Sequence, residues 1–295
     1  MQRTKQIQTN IDAILTGDWH LREDTPVCRT DDFQTAQWKK VQIISDLQKK
    51  YNCQVIHSGD LFHHWKPSPW LLSKAMEYLP DNFQTIYGNH DLPQHNIELE
   101  NKTGVYNLYK AGRLEILGGV HWLENPELST YPSIEIKGRS VLVYHIMTYQ
   151  GKKPWPGCTD PMGAALLRKY PEYDLILTGH NHIPFVETYK DRLLVNPGSL
   201  TRQFADQIDH RPRVYLYNAK ENTATPYYLP IEEGVVTREH LQTEEQRNIR
   251  IEAFISRLND NWESSLSYEA NLESFFASNQ IRQSVKDIIY KSMEQ

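Results

Sequence analysis

The chain is poor in cysteine. Cys28, Cys53 and Cys158 are the only three in 295 residues, and they form no CxxC pair. An odd, scattered set excludes a disulfide framework and a thiolate metal cluster, and it suits a reducing, cytoplasmic compartment. Long apolar runs are missing as well. The strongest, Val141 to Met147, is far shorter than the roughly 20 residues a membrane-spanning helix needs. Met1 to Asn10 is polar, so neither a signal peptide nor a membrane partner is expected. Basic excess is absent too. The 32 Lys and Arg are outnumbered by 37 Asp and Glu, for a formal net charge of −5. That argues against broad, non-specific nucleic-acid binding and leaves room only for a local basic groove. Finally, glycine and proline vanish after Leu241, which removes the turn-formers from the C-terminal end.

What is present suits a globular protein: 39% hydrophobic and 23% charged residues. Short apolar runs at Ile11 to Thr16, Gln54 to His57 and Gln84 to Tyr87 read as buried strands. Helical spacing over Asp31 to Lys50 and Pro69 to Leu79 separates them, an α/β alternation. Further strands are expected at Leu114 to Leu117, Val120 to Leu123, Ser133 to Ile136, Val141 to Ile146 and Leu175 to Thr178. Four more follow at Phe185 to Thr188, Leu193 to Val195, Arg213 to Tyr217 and Thr225 to Leu229, with a helix at Pro161 to Tyr170. Two sheets sandwiched by helices, an α-β-β-α arrangement in four layers, fit this order. Residues 1–235 are expected to form that domain. Residues 236–295 form a helical appendage, marked by apolar stripes at Ile251, Phe254, Ile255 and Leu258, at Leu272, Phe275 and Phe276, and at Ile281, Val285, Ile288 and Ile289.

Twelve histidines are unevenly placed, and five fall inside short polar motifs. The motifs are Gly17-Asp18-Trp19-His20, Gly59-Asp60, Gly88-Asn89-His90-Asp91, Tyr144-His145 and Gly179-His180-Asn181-His182. Each stands at or near the carboxyl end of an expected strand, where open α/β sheets place their ligand crevice. The donors are carboxylate, amide and imidazole, a set suited to Mn²⁺, Fe²⁺, Zn²⁺ or Mg²⁺. In an extended segment, Asp18 and His20 would point to one side and share an ion. Asp60 is the candidate bridge between two ions. Bridged ions clamp a phosphoryl group and lower the pKa of water. If Asn89 is a ligand, His90 falls just outside the metal shell, where it can protonate a leaving oxygen, and Asp91 could orient its ring.

Taken together and in this order, the five motifs resemble those of the calcineurin-like metallophosphoesterase superfamily, over about residues 10–230. The resemblance implies one ion held by Asp18, His20, Asp60 and His182, and a second held by Asp60, Asn89, His145 and His180. It makes His90 the catalytic acid. A narrower resemblance is to SbcD-like double-strand-break-repair nucleases. It is carried by Gly17-Asp18-Trp19-His20-Leu21, by Gly59-Asp60-Leu61-Phe62-His63 with Lys66-Pro67-Ser68-Pro69, and by Asn196-Pro197-Gly198-Ser199. It implies a DNA exo/endonuclease that prefers Mn²⁺, with His63 assisting exonuclease action, and a homodimer working with an SbcC-like coiled-coil ATPase. The appendage is shorter than that family's usual second domain.

Two rival functions share parts of this reading. One is a small-molecule or phosphoprotein phosphoesterase; the other is a non-catalytic interaction scaffold, which predicts missing ligands. Outside the motifs, His57, His95, His121, His210 and His240 are expected to be surface or packing residues, and Trp19 a packing residue.

Overall fold

The computed structural model describes residues 10–118, 132–239, 241, 250–251 and 268–293. The expected strand at Val120 to Leu123, His121, His240, and the stripe through Phe254, Ile255 and Leu258 lie outside the described residues. The chain divides into two compact units, Met1–Thr237 and Arg238–Gln295.

The first unit is built on two sheets. In the first sheet, β1 (Ala13–Thr16) pairs in parallel with β2 (Gln54–His57), which pairs with β3 (Phe83–Thr85), followed by β4 (Glu115–Ile116). On the other side of β1, β10 (Arg213–Asn218) and β11 (Thr223–Tyr228) add antiparallel. The second sheet runs β5 (Ser133–Ile136), β6 (Arg139–His145), β7 (Leu175–Gly179), β9 (Arg192–Asn196) and β8 (Phe185–Tyr189). Its centre, β6, β7 and β9, is parallel.

Period-two side-chain alternation converts these strands into layers. Ala13 and Leu15 of β1 and Ile56 of β2 face Val141, Val143, Leu175, Leu177 and Val195 of the second sheet in one buried core. The intervening Ile14 and Val55 face outward, against Trp38, Val41, Ile44 and Leu47 of α1 (Phe33–Tyr51) and Leu71 and Ala75 of α2 (Pro69–Tyr78). Val105 and Leu108 of α3 (Gly104–Lys110) complete this outer layer. On the far side, Leu142, Tyr144, Ile176 and Leu194 pack under Leu166 and Leu167 of α4 (Gly163–Lys169). Three separate apolar layers between four stacked elements make the α-β-β-α sandwich.

Local signals set the helix ends. The Asp32 side chain accepts from the Thr35 N–H at the start of α1, and Asn52 ends it in a left-handed conformation, φ 48°. Ser68 caps α2, with Pro69 at its first position. The helix α3 has no apolar periodicity long enough to be read from sequence.

In the second unit, α5 (Tyr268–Ser278) and α6 (Gln283–Met293) bury Leu272, Phe275 and Phe276, with Ile281, Ile289 and Tyr290 packed against them. The stripe expected on α6 is only partly used, since Val285 and Ile288 are exposed. None of the described helices is long and apolar enough to cross a membrane.

Candidate metal centre

The parallel strands of both sheets end together. β1 stops at Thr16, β2 at His57, β6 at His145 and β7 at Gly179, and the motif residues follow at once. The chain reverses there rather than remaining extended. Asp18 (φ 49°), His20 (φ 46°), Asp60 (φ 58°) and His180 (φ 75°) all adopt positive φ. For residues with a Cβ this region is sparsely populated and strained, and such strain concentrates at functional sites. Asp18 and His20 do come together in one group, but not as neighbours in an extended segment. They share a side because two left-handed residues flank the buried Trp19. Trp19 is pinned by its indole N–H to Thr16 Oγ1 (2.8 Å) and by edge contact with His57.

The turns need close backbone approach. A Cβ on Gly88 would lie 2.1 Å from Asp60 Oδ1, and Gly59 at φ 97° would bring one 2.7 Å from His145 Nδ1.

Among the described residues three groups of donors converge; two contain the expected ligands, and the third is His20, His63 and His90. Asp18, His20 and His182 form the first, with ligand atoms all within 4.8 Å of one another. His20 Nε2 lies 3.1 Å from His182 Nε2 and 3.5 Å from Asp60 Oδ2. Asp60, His145 and His180 form the second, within the same 4.8 Å limit. Here Asn89 Oδ1 stands 3.0 Å from His145 Nε2 and 2.9 Å from His180 Nδ1, while Asp60 Oδ2 is 3.4 Å from His145 Nε2. Asp60 Oδ2 therefore touches both groups, as a bridging carboxylate must.

These residues fit a pair of divalent cations. The His145 Nδ1–H donates to the Ser58 carbonyl at 2.8 Å, so Nε2 turns its lone pair toward the Asn89 and Asp60 oxygens. Three acceptors facing one another require a positive charge between them. Without a metal, a proton on His145 serves: burial alone would lower His145, but the Asp60 charge and hydrogen bond outweigh it and lift it to about 9. Burial also works to raise Asp60, yet His145 and His20 beside it hold the carboxyl well below the usual range. Burial and then the Asp60 charge push Asp18 up to about 7. Burial lowers His182 to about 4, and burial with the His145 charge does the same to His180, so both rings are neutral and have lone pairs to offer near pH 7.

His90 lies beside the first group, its ring 4.6 Å from that of His20, and its backbone N–H donates to Asp60 Oδ1 at 2.8 Å. Its Nδ1 meets the His63 carbonyl at 2.8 Å, which aims Nε2 away from that carbonyl. The suggestion that Asp91 orients the His90 ring is thus corrected. Asp91 is wholly buried and accepts four backbone N–H groups: Gly88 (3.0 Å), Asp60 (2.8 Å), Leu61 (3.2 Å) and Phe62 (3.1 Å). It ties the second motif to the third, and burial and the Asp60 charge push its carboxyl up to about 7. His63 also joins the cluster, its ring 5.4 Å from His90 and 5.8 Å from His20. Burial and the Arg22 charge lower it to about 4.

Several contributors lie outside the five donor motifs. A cavity of about 250 Å³ beside the second group is lined by Asn89, His95, His145, Asp160 and His180. Another, of about 390 Å³, opens beside His182, where Phe204, 46% exposed, stacks on the His182 ring at 5.8 Å. Neither His95, Asp160 nor Phe204 sits in a motif, so nothing in the local sequence marked them. Asn196 donates to the Asn181 (2.6 Å) and Ile183 (2.8 Å) carbonyls and so holds the last histidine loop. His57 and His210 are packing residues, bonded to Thr85 Oγ1 and the Ser199 carbonyl.

A four-layer sandwich with a cradle for divalent ions at the carboxyl ends of its strands defines a class, the metal-dependent phosphoesterases. Residues 14–217 match the family model for the calcineurin-like phosphoesterase superfamily domain, and the chain belongs to that superfamily. Its members use divalent metals. Among solved structures it is similar to an archaeal phosphodiesterase (16% identity, 74% of this chain and 99% of that one, TM-score 0.42). It is also similar to Vps29 from Entamoeba histolytica, complexed with zinc (15% identity, 74% and 97% covered, TM-score 0.37). A third is a predicted phosphoesterase from Streptococcus pneumoniae TIGR4 (12% identity, 74% and 98% covered, TM-score 0.34).

Proposed function

We propose that this protein is a manganese-dependent DNA exo/endonuclease resembling SbcD. The observation that carries the reading is the histidine group outside the metal cradle: His90 and His63 stand side by side with His20 at its edge. His90 would protonate the leaving oxygen, and His63 beside it would contact the ester substituent that a phosphodiester, unlike a monoester, retains. Bound ions supply charge neutralisation and an activated water. Asp18, His20, Asp60 and His182 would hold one, and Asp60, Asn89, His145 and His180 the other. His90, with Nδ1 on the His63 carbonyl, has Nε2 available to protonate the leaving oxygen. The flat Phe204 ring beside His182 adds a surface on which a base can stack.

The reading implies residues 1–235 as the catalytic domain, and a second copy of the chain and an SbcC-like coiled-coil ATPase as partners for residues 236–295. The three buried, unpaired cysteines support a reducing, cytoplasmic setting.

One panel tests it: Mn²⁺-loaded protein against single-stranded, blunt double-stranded and hairpin DNA, with a chromogenic phosphodiester as control. DNA cleavage is expected. His90→Ala should slow it by about 10²-fold or more with metal content unchanged. Far better turnover of the small diester than of any DNA would point to the small-molecule phosphoesterase instead. Failure to take up divalent metal would favour the scaffold.

A further inference from the structure

The first unit carries a further polar cavity, of about 220 Å³, that none of the expected metal ligands lines. Its walls include Arg29, Lys40 and Arg202, with Pro212, Pro230 and Ile231 as an apolar side. All three cations are nearly inaccessible: Arg29 is 8%, Lys40 4% and Arg202 2% exposed. Cations in such a place are normally matched by anions, because an unmatched buried charge is strongly unfavourable.

The match is incomplete. Arg29 is accounted for, since its guanidinium grips Asp31 with two nitrogens and donates through Nη1 to the Arg202 carbonyl at 2.9 Å. Arg202 donates to the carbonyls of Ile208 (3.2 Å) and Glu232. Those carbonyls satisfy donors but bring no negative charge. Among the described residues, Lys40 bonds only to the carbonyl of Ala36, one turn back in its own helix, at 3.2 Å. An ammonium has three donors. Asp31 is thus the one half-buried carboxylate among three buried cations, and it is already held by Arg29. The other carboxylates nearby, Asp32, Glu232 and Glu233, are on exposed residues, and Asp32 is engaged in capping α1. Burial, followed by the Arg29 and Arg202 charges, lowers Lys40 to about 8, so it remains mostly protonated at pH 7.

We infer that this cavity is an oxyanion site, in which Lys40 and Arg202 bind a phosphate group that supplies the missing negative charge. A free phosphate and the terminal phosphate of a nucleotide chain present the same tetrahedral oxyanion to the same donors. The site is linked to the metal cradle by hydrogen bonds. Gln203, next to Arg202, donates to the His20 carbonyl at 3.2 Å and accepts from Arg22 at 3.4 Å. An occupant that fixes Arg202 therefore bears on the backbone that carries a metal ligand.

The test uses the full chain stripped of metal with chelator, so that phosphate cannot be held by bound cations. Inorganic phosphate and a 5′-phosphorylated oligonucleotide are titrated separately, by calorimetry and by thermal shift, with the unphosphorylated oligonucleotide as control. Saturable binding is expected in the wild type, weakened about tenfold or more in Lys40→Met, the loss of one charge-assisted hydrogen bond. Lys40→Arg should retain it, and Lys50→Met, exposed at the far end of α1 and outside the cavity lining, should leave it unchanged. Binding of phosphate alone marks a site for the free ion. Binding of the phosphorylated oligonucleotide alone marks one for a chain end. Absence of saturable binding in the wild type, or equal affinity in folded Lys40→Met, overturns the inference. Neither result depends on cleavage of DNA, so the nuclease proposal stands or falls separately.

Discussion

At the scale of single residues, the site depends on conformations that favour Asp, Asn, His and Gly. Four of the expected ligands sit at positive φ, a region in which Asp and His are better tolerated than bulky or β-branched residues. Asp91 shows how one buried carboxylate can organise such turns. Four backbone donors converge on it, and an amide in its place can accept with only one oxygen. Asp91→Asn should lower stability by about 1–3 kcal/mol and weaken metal binding by about 10- to 100-fold. Saturating metal should restore most of the turnover, with an unchanged pH profile. An altered pH profile would instead make Asp91 part of the proton path.

At the scale of elements, the sandwich holds the motifs by packing its two sheets against each other. Leu177 lies in the middle of β7, fully buried, two residues before the last histidine motif. Leu177→Ala should cost about 2–5 kcal/mol, read from the urea midpoint. Because β7 ends at Gly179, metal affinity should fall along with stability. A variant equally destabilised through α1, such as Ile44→Ala, should leave metal affinity nearer the wild type. If both lower it alike, the site follows global stability rather than β7.

At the scale of the whole molecule, acid and truncation should act on different parts. Burial lowers His57 from 6.5 to about 3 in the folded protein. In the unfolded chain it takes a proton near its ordinary value, so between these values the unfolded state binds more protons. The His57 contribution is complete above pH 6.5 and is lost as pH falls toward 3. His57→Gln should therefore flatten the decline in stability below pH 6.5, measured by urea midpoints at successive pH values. An unchanged slope would assign the acid sensitivity to other groups. Truncation concerns the second unit, which has its own apolar cluster at Leu272, Phe275 and Phe276. Removing residues 238–295 should leave the first unit folded and its small-diester turnover within about threefold, since the two units are separately compact. Loss of dimer mass on the same deletion would place self-association in the appendage.

Much of this molecule was legible in one dimension because the relevant signals are local. Strand and helix positions follow from period-two and helical spacing, and Gln54–His57 and Ser133–Ile136 were expected with the bounds they have. The donor-rich motifs were legible because one to three polar residues, in four of the five cases after a glycine, follow an apolar run within four positions. Three things were decided only in three dimensions. The roles of Asp91 and His90 turned on a carbonyl from His63, 27 residues away, which no spacing reveals. The left-handed turns at Asp18 and His20 replaced the extended segment expected there. In the cavity of Arg29, Lys40 and Arg202, the two arginines come from positions 173 residues apart. Side-chain chemistry and hydrophobic period are written residue by residue. Which lone pairs and charges meet depends on long-range closure of the chain, and only the packed sheets determine it.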